Sequence, residues 1–225
     1  MRRRDILRGI AGAVCVSAGG TVAFPALADT LELDARRGLS SKLASALRLV
    51  GGEVFTTAAY KLENSQGAVR KFNLHLRRAG LNKSDTLIVA RALRSLTAPE
   101  AALLQSFSVS YNPDIEDEGA IALLQSMPQY IRVVGLVGCD LGDGGGTALL
   151  EWVNSAAGLQ MICIEENRFS DQFKQQFVAL REKDKSLVVI VSVIRRLVFS
   201  PATGSVACFV DCGGAPGVCR YLRYV

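Results

Sequence analysis

Three stretches of the chain carry the same spaced set of apolar residues, and this repetition constrains the fold more than any other feature. Leu104, Phe107, Val109 and Asn112, then Ile131, Val134, Leu136 and Cys139, then Leu159, Ile162, Ile164 and Asn167 share offsets of 0, 3, 5 and 8, and the sets begin 27 and 28 residues apart. Leu187 with Ile190 opens a degraded copy 28 residues further on. An earlier copy has Leu74, Leu76, Ala79 and Leu81, with Lys71 at the first apolar position. A fixed period in this range means that successive units stack and bury one face on the next.

Residues two apart point the same way from an extended chain, so pairs such as Val134 and Leu136 mark short strands with one buried face. Asn112, Cys139 and Asn167 occupy the position that closes the turn after each strand. There a buried Asn bonds the backbone of neighbouring coils, and Cys139 fits as a small structural thiol. A helical pattern follows each turn. Asp117-Glu118-Gly119 precedes Ala120, Ile121, Leu123 and Leu124; Asp143-Gly144-Gly145 precedes Ala148, Leu149, Leu150 and Val153; Asp171 precedes Phe173, Phe177 and Leu180. Asp caps orphan amides at a helix start, so each unit reads as strand, turn, helix and return.

These residues resemble leucine-rich repeats, and the unit length with Asp-x-Gly before the helix is similar to the ribonuclease-inhibitor subclass. The resemblance runs from Leu74 to Ile190. Pro113 adds one residue to its turn and moves the apolar anchor to Ile115, and Asp171 is followed by Gln172 and Phe173 instead of a small residue. The resemblance implies an α/β fold: a short, irregular solenoid with a parallel sheet on its concave side, helices on its convex side, and a non-catalytic role in binding. An open doubly wound sheet also alternates strands and helices; the turn ladder and fixed period favour the solenoid.

The ends of such an array need atypical units to cover their apolar faces. Residues 29–70 are expected to form a helical N-terminal cap, with Leu43, Leu47 and Val50 at helical spacing within Ser40–Val50. Residues 71–190 hold the repeats. Residues 191–225 form a strand-rich C-terminal cap, with turn residues at Pro201–Gly204 and Gly213–Gly217.

Residues 1–28 read as an export signal. Arg2, Arg3, Arg4 and Arg8 precede an uncharged stretch from Gly9 to Ala28. Glycines make that stretch a poor bilayer span, and Ala26-Leu27-Ala28 sets the expected cleavage before Asp29. Arg3-Arg4-Asp5-Ile6-Leu7-Arg8 resembles the bacterial twin-arginine signal. That resemblance implies a protein exported folded, periplasmic or secreted, with no membrane insertion after cleavage. Val14, where a lipoprotein signal has a small residue before its cysteine, argues against lipidation at Cys15.

The formal charge of +5, from 26 Lys and Arg against 21 Asp and Glu, falls to +2 once residues 1–28 are set aside. With no basic block left, nucleic acid is not the expected partner. A single histidine, His75, weakens any catalytic-triad or His-rich metal reading. Asp143-Gly144-Gly145-Gly146 lacks the Lys and Ser/Thr of a phosphate loop, and Asp114, Glu116, Asp117 and Glu118 miss the calcium-loop spacing. No cofactor or metal is expected.

Export places Cys208, Cys212 and Cys219 in an oxidising compartment, where a bridge joins Cys212 to Cys219 in its simplest form or Cys208 to Cys219 as the alternative. Zinc lacks a nearby fourth ligand there. A second functional class, a thiol-dependent enzyme or redox protein, rests on the same three cysteines.

On the concave side, His75, Ser108, Gly135, Cys163 and Val191 are expected to share one column. His75 and Cys163, three strands apart at about 4.8 Å each, then lie too far apart for a catalytic dyad. Nearer the turns run Arg77-Arg78, Ser110-Tyr111, Val137-Gly138 and Glu165-Glu166. Arg77, Arg78, Ser108, Ser110, Tyr111, Cys163, Glu165 and Glu166 are the expected contacts of a protein or peptide partner. The face is basic at one end, acidic at the other and small in the middle, with Tyr111 as aromatic anchor.

Overall fold

A computed structural model describes residues 25–64, 71–184, 186–191, 195–200 and 205–210. Two helices, α1 (Pro25–Val50) and α2 (Glu53–Asn64), lead into strand β1 (Phe72–His75). The chain then alternates: α3 (Lys83–Arg94), α4 (Ala98–Ala101), β2 (Leu104–Ser108), α5 (Glu116–Leu124), β3 (Val133–Gly135), α6 (Asp143–Ser155), β4 (Met161–Cys163), α7 (Asp171–Lys183) and β5 (Val188–Ile190). A hairpin of β6 (Arg195–Ser200) and β7 (Ser205–Val210) follows, paired antiparallel. The expected leader lies mostly outside the described residues, and the expected processing point before Asp29 falls within α1. Among the described residues, no helix is long and apolar enough to cross a membrane.

Strands β1 to β5 form one sheet in sequence order, every pair parallel. A doubly wound sheet reverses its strand order at a switch point; this one never reverses, so it is the stacked edge of a solenoid. Leu74, Phe107, Val134, Ile162 and Val189 are successive partners across it, and none is more than 6% exposed. Leu76, Val109, Leu136 and Ile164 form a second buried row two residues on, at 1% exposure or less. Behind these rows α3, α5, α6 and α7 pack on one another in order, and α1 packs on α2, α3 and α4.

The end coils depart from the expected register. Phe72, not Lys71, pairs with Leu104, and the next pair is Asn73 with Ser106. The first coil is thus one residue short, and a bulge at Gln105 absorbs the difference so that the Phe72 ring is buried while Lys71 stays exposed. At the other end Val189, not Ile190, faces Ile162, and Ile190, not Val191, continues the column of His75, Ser108, Gly135 and Cys163. A strand paired on one side has fewer constraints on its register, so burial of its own apolar residues decides it.

The turn aspartates also act differently from the expected caps. Asp117 lies inside the first turn of α5, and its Oδ1 accepts a hydrogen bond from the amide of Gly142, the N-cap of α6, at 2.6 Å. Asp143, in the first turn of α6, accepts from the amide and hydroxyl of Ser170, the N-cap of α7, at 2.9 and 2.7 Å. Ser170 is the side chain that caps α7, taking the Phe173 amide at 3.2 Å. Each aspartate therefore ties its own helix to the start of the next one. At the head of the row, Lys83 in α3 bridges to Glu116 and Glu118 at 2.9 and 3.3 Å.

Candidate functional site

After each inward row the chain turns through a left-handed residue. Arg78, Tyr111, Gly138 and Glu166 have φ of 51°, 62°, 57° and 58°. Their backbones continue the sheet ladder: the Arg78 amide donates to Ser110 O at 3.0 Å, the Tyr111 amide to Val137 O at 2.6 Å, and the Gly138 amide to Glu165 O at 2.9 Å. Glycine adopts this conformation without penalty, whereas other residues pay about 1–2 kcal/mol.

The turn is held by its buried polar residue. Asn112 is 1% exposed and makes five hydrogen bonds. Its Oδ1 accepts from the Gly80 and Leu81 amides at 2.8 and 3.1 Å, and its Nδ2 donates to Leu76 O, Val109 O and Ser110 O at 2.8, 2.6 and 3.4 Å. Asn167 repeats the arrangement, accepting from Cys139 and Leu141 amides and donating to Leu136 O and Ile164 O. Cys139 between them donates its thiol to Val109 O at 3.3 Å and Val137 O at 3.5 Å. Burial pushes that thiol up to about 11, so it stays protonated and unreactive at neutral pH.

This rim brings four of the expected contact residues together. The Arg77 and Arg78 guanidinium carbons sit 4.2 and 4.9 Å from the centroid of the Tyr111 ring, within range of a cation–π attraction. The same ring lies against Gly138, and the Tyr111 hydroxyl donates to Glu166 Oε1 at 3.5 Å. The middle of the surface is therefore not the smooth patch the small residues suggest. Because the Gly138 position has no side chain, Tyr111 lies across it and joins the basic end to the acidic end.

The other contact candidates lie nearby in different settings. Ser108 and Ser110 are 3.1 Å apart at Oγ, and Ser110, 4% exposed, accepts the Val137 amide at 3.2 Å. Gly135 leaves the space they occupy, since a Cβ there would stand 2.6 Å from Ser108 Oγ. Cys163 is half-buried beside Gly135. Glu165, read from sequence as part of an exposed acidic pair, is only 9% exposed; Glu166 alone is exposed. His75 Nε2 donates a 2.8 Å hydrogen bond to Ser106 Oγ, whose proton goes to Asn73 Oδ1 at 2.7 Å. Of the disulfide candidates, Cys208 lies in β7 opposite Leu197, and Cys212 and Cys219 fall outside the described residues, as does any bridge among them.

Sequence reasoning did not find the cleft at the first edge of the sheet. Ala58, Lys61 and Leu62 of α2 face Lys71 and all of β1 across a space of about 300 Å³. Lys61 belongs to no repeat position, and Lys71 breaks the apolar pattern at the one it was expected to fill, so the periodic pattern carries no signal for the cleft.

The leucine-rich repeat family model matches residues 102–124. No curated protein matches. Among solved structures, the leiomodin-1 actin-binding site 2 resembles the chain with a TM-score of 0.44 and 11% identity, over 63% of this chain and 80% of that one. Sequential parallel strands, helices stacked behind them and turns closed by Asn112 and Asn167 give the described residues a mixed α/β architecture consistent with a short leucine-rich repeat solenoid.

Proposed function

We propose that the chain is an exported bacterial protein that binds a protein or peptide on its concave face without catalysing a reaction. The observation that carries this reading is the Arg77–Arg78–Tyr111–Glu166 array, in which side chains from three coils meet across a fourth that lacks one. Aromatic rings and arginines are the residue types that dominate binding energy in protein interfaces. An array with opposite charge at its two ends also orients a partner. Export is supported by Arg3-Arg4-Asp5-Ile6-Leu7-Arg8 and the uncharged stretch after it.

Affinity capture from periplasmic extract tests the reading. Wild type retains a specific partner that Tyr111→Ala and the pair Arg77→Ala, Arg78→Ala release. Retention by all three proteins, or by none, overturns it. For export, replacing Arg3 and Arg4 by lysine is expected to leave the protein in the cytoplasmic fraction; unchanged fractionation overturns the twin-arginine assignment.

A further inference from the structure

Among the described residues of the concave rim, Glu165 is the side chain whose setting its own coil does not explain. Alternation along β4 places Ile162 and Ile164 in the core, both 0% exposed, and sets Cys163 and Glu165 on the opposite, concave face. Glu165 is nonetheless 9% exposed, and its Oε2 is shielded from solvent with no hydrogen-bond partner. Its neighbours on that face, Val137 and Cys163, are half-exposed, so the carboxylate lies in the floor of the concave surface and not between sheet and helices. Burial and the adjacent Glu166 carboxylate both push the Glu165 carboxyl above the usual carboxylate range, against its backbone hydrogen bonds and the pull of Arg77.

A shielded carboxylate oxygen without a partner destabilises the fold. Nothing in the turn requires it, since the equivalent position is Arg77, Ser110 or Val137 in the preceding coils. We infer that Glu165 is a recognition site for a basic side chain: the partner on the concave face is a peptide segment that brings a lysine or arginine to the unpaired oxygen. This rests on the binding reading proposed above and names the partner's chemistry. Tyr111 reaches the same end of the array, its hydroxyl donating to the adjacent Glu166. Arg77 and Arg78, whose guanidinium groups lie over the Tyr111 ring, repel a second cation and so set the direction in which the segment lies.

The test is selection of a random dodecapeptide library on the immobilised full-length protein, followed by fluorescence anisotropy with the enriched synthetic peptides. The enriched peptides are expected to share a lysine or arginine. Its replacement by alanine and Glu165→Gln each lower affinity at least about tenfold, and the two changes together cost little more than either alone. Thermal melting of Glu165→Gln and Glu165→Leu without peptide gives a Tm equal to or above wild type, because relieving the shielded, unpartnered Oε2 offsets the loss of the carboxyl's few backbone contacts. Enriched peptides without a shared basic residue, or full affinity in Glu165→Gln with Tyr111→Ala still disruptive, overturn the inference and leave the concave-face reading standing. A marked fall in Tm of both Glu165 variants overturns it as well, since the carboxyl is then held by the chain itself and not kept for a partner. Enriched peptides indifferent to both Glu165→Gln and Tyr111→Ala, or no enrichment at all, remove both readings.

Discussion

Tyr111 and Gly138 are locked together: a Cβ placed on Gly138 stands 3.2 Å from Tyr111 Cδ1, and Gly138 itself sits at φ 57°. Gly138→Ala therefore strains the backbone and pushes the ring off the rim at once. A loss of about 1–2 kcal/mol in urea unfolding is expected, together with weakened partner retention like that of Tyr111→Ala. Wild-type stability would show that the turn tolerates a side chain there.

Asn112 and Cys139 occupy the same slot in adjacent coils with very different consequences. Asn112→Ala orphans two amides and leaves carbonyls of two coils short of a donor in a site 1% exposed, so about 3–5 kcal/mol of stability is expected to be lost. Cys139→Ala removes only weak thiol donors and one small atom, for about 1 kcal/mol. Equal losses in a denaturant titration would contradict the ladder as the source of the difference.

Gly146 lies in α6 beneath the ring cluster of Phe169, Phe173 and Phe177, whose centroids are 5.5 to 6.1 Å apart. A Cβ on Gly146 would overlap Phe173 Cε1 and stand 3.0 Å from Phe169 Cε1. Alanine gains about 1 kcal/mol of helix propensity, but overpacking costs about 1–3 kcal/mol. Net destabilisation is expected on thermal melting of Gly146→Ala; a raised Tm would mean that the rings move aside freely.

Two glutamates make opposite contributions to the pH dependence of stability. Burial pushes the Glu100 carboxyl up, but hydrogen bonds from Lys42 at 2.6 Å and from Thr97 outweigh it and hold the group below its ordinary value. Its contribution is present above about pH 4.3, the unfolded value, and is lost as pH falls through the lower folded value. The Glu165 carboxyl is raised, so its contribution is present below about pH 4.3 and is lost as pH rises through the folded value. Denaturation curves across acid pH are expected to flatten on the acid side for Glu100→Gln and to lose the decline toward neutrality for Glu165→Gln. Parallel curves for the two variants would contradict this assignment.

The coil was legible from the chain because its signal is local and repeated. Exposing Phe107, Val134 or Ile162 is costly in each unit alike, so their spacing reports the inward row directly, and each pairs with the next in the sheet. The helices after Asp117, Asp143 and Asp171 were readable for the same reason. The first and last registers were not, because Phe72 and Val189 sit in coils one residue short, where a bulge or a slipped pairing restores burial.

What the amino-acid sequence determined alone is therefore the identity of the unit: which side chains face inward, where the chain turns, and that units stack in order. Tertiary structure decided everything that depends on the offset between one coil and the next. That offset places the Asp117 carboxylate on the Gly142 amide, lays Tyr111 across Gly138 toward Glu166, and closes Glu165 off from solvent. Side chains from coils 25 or more residues apart in sequence meet at distances set by packing, and no pattern within a single unit encodes those distances.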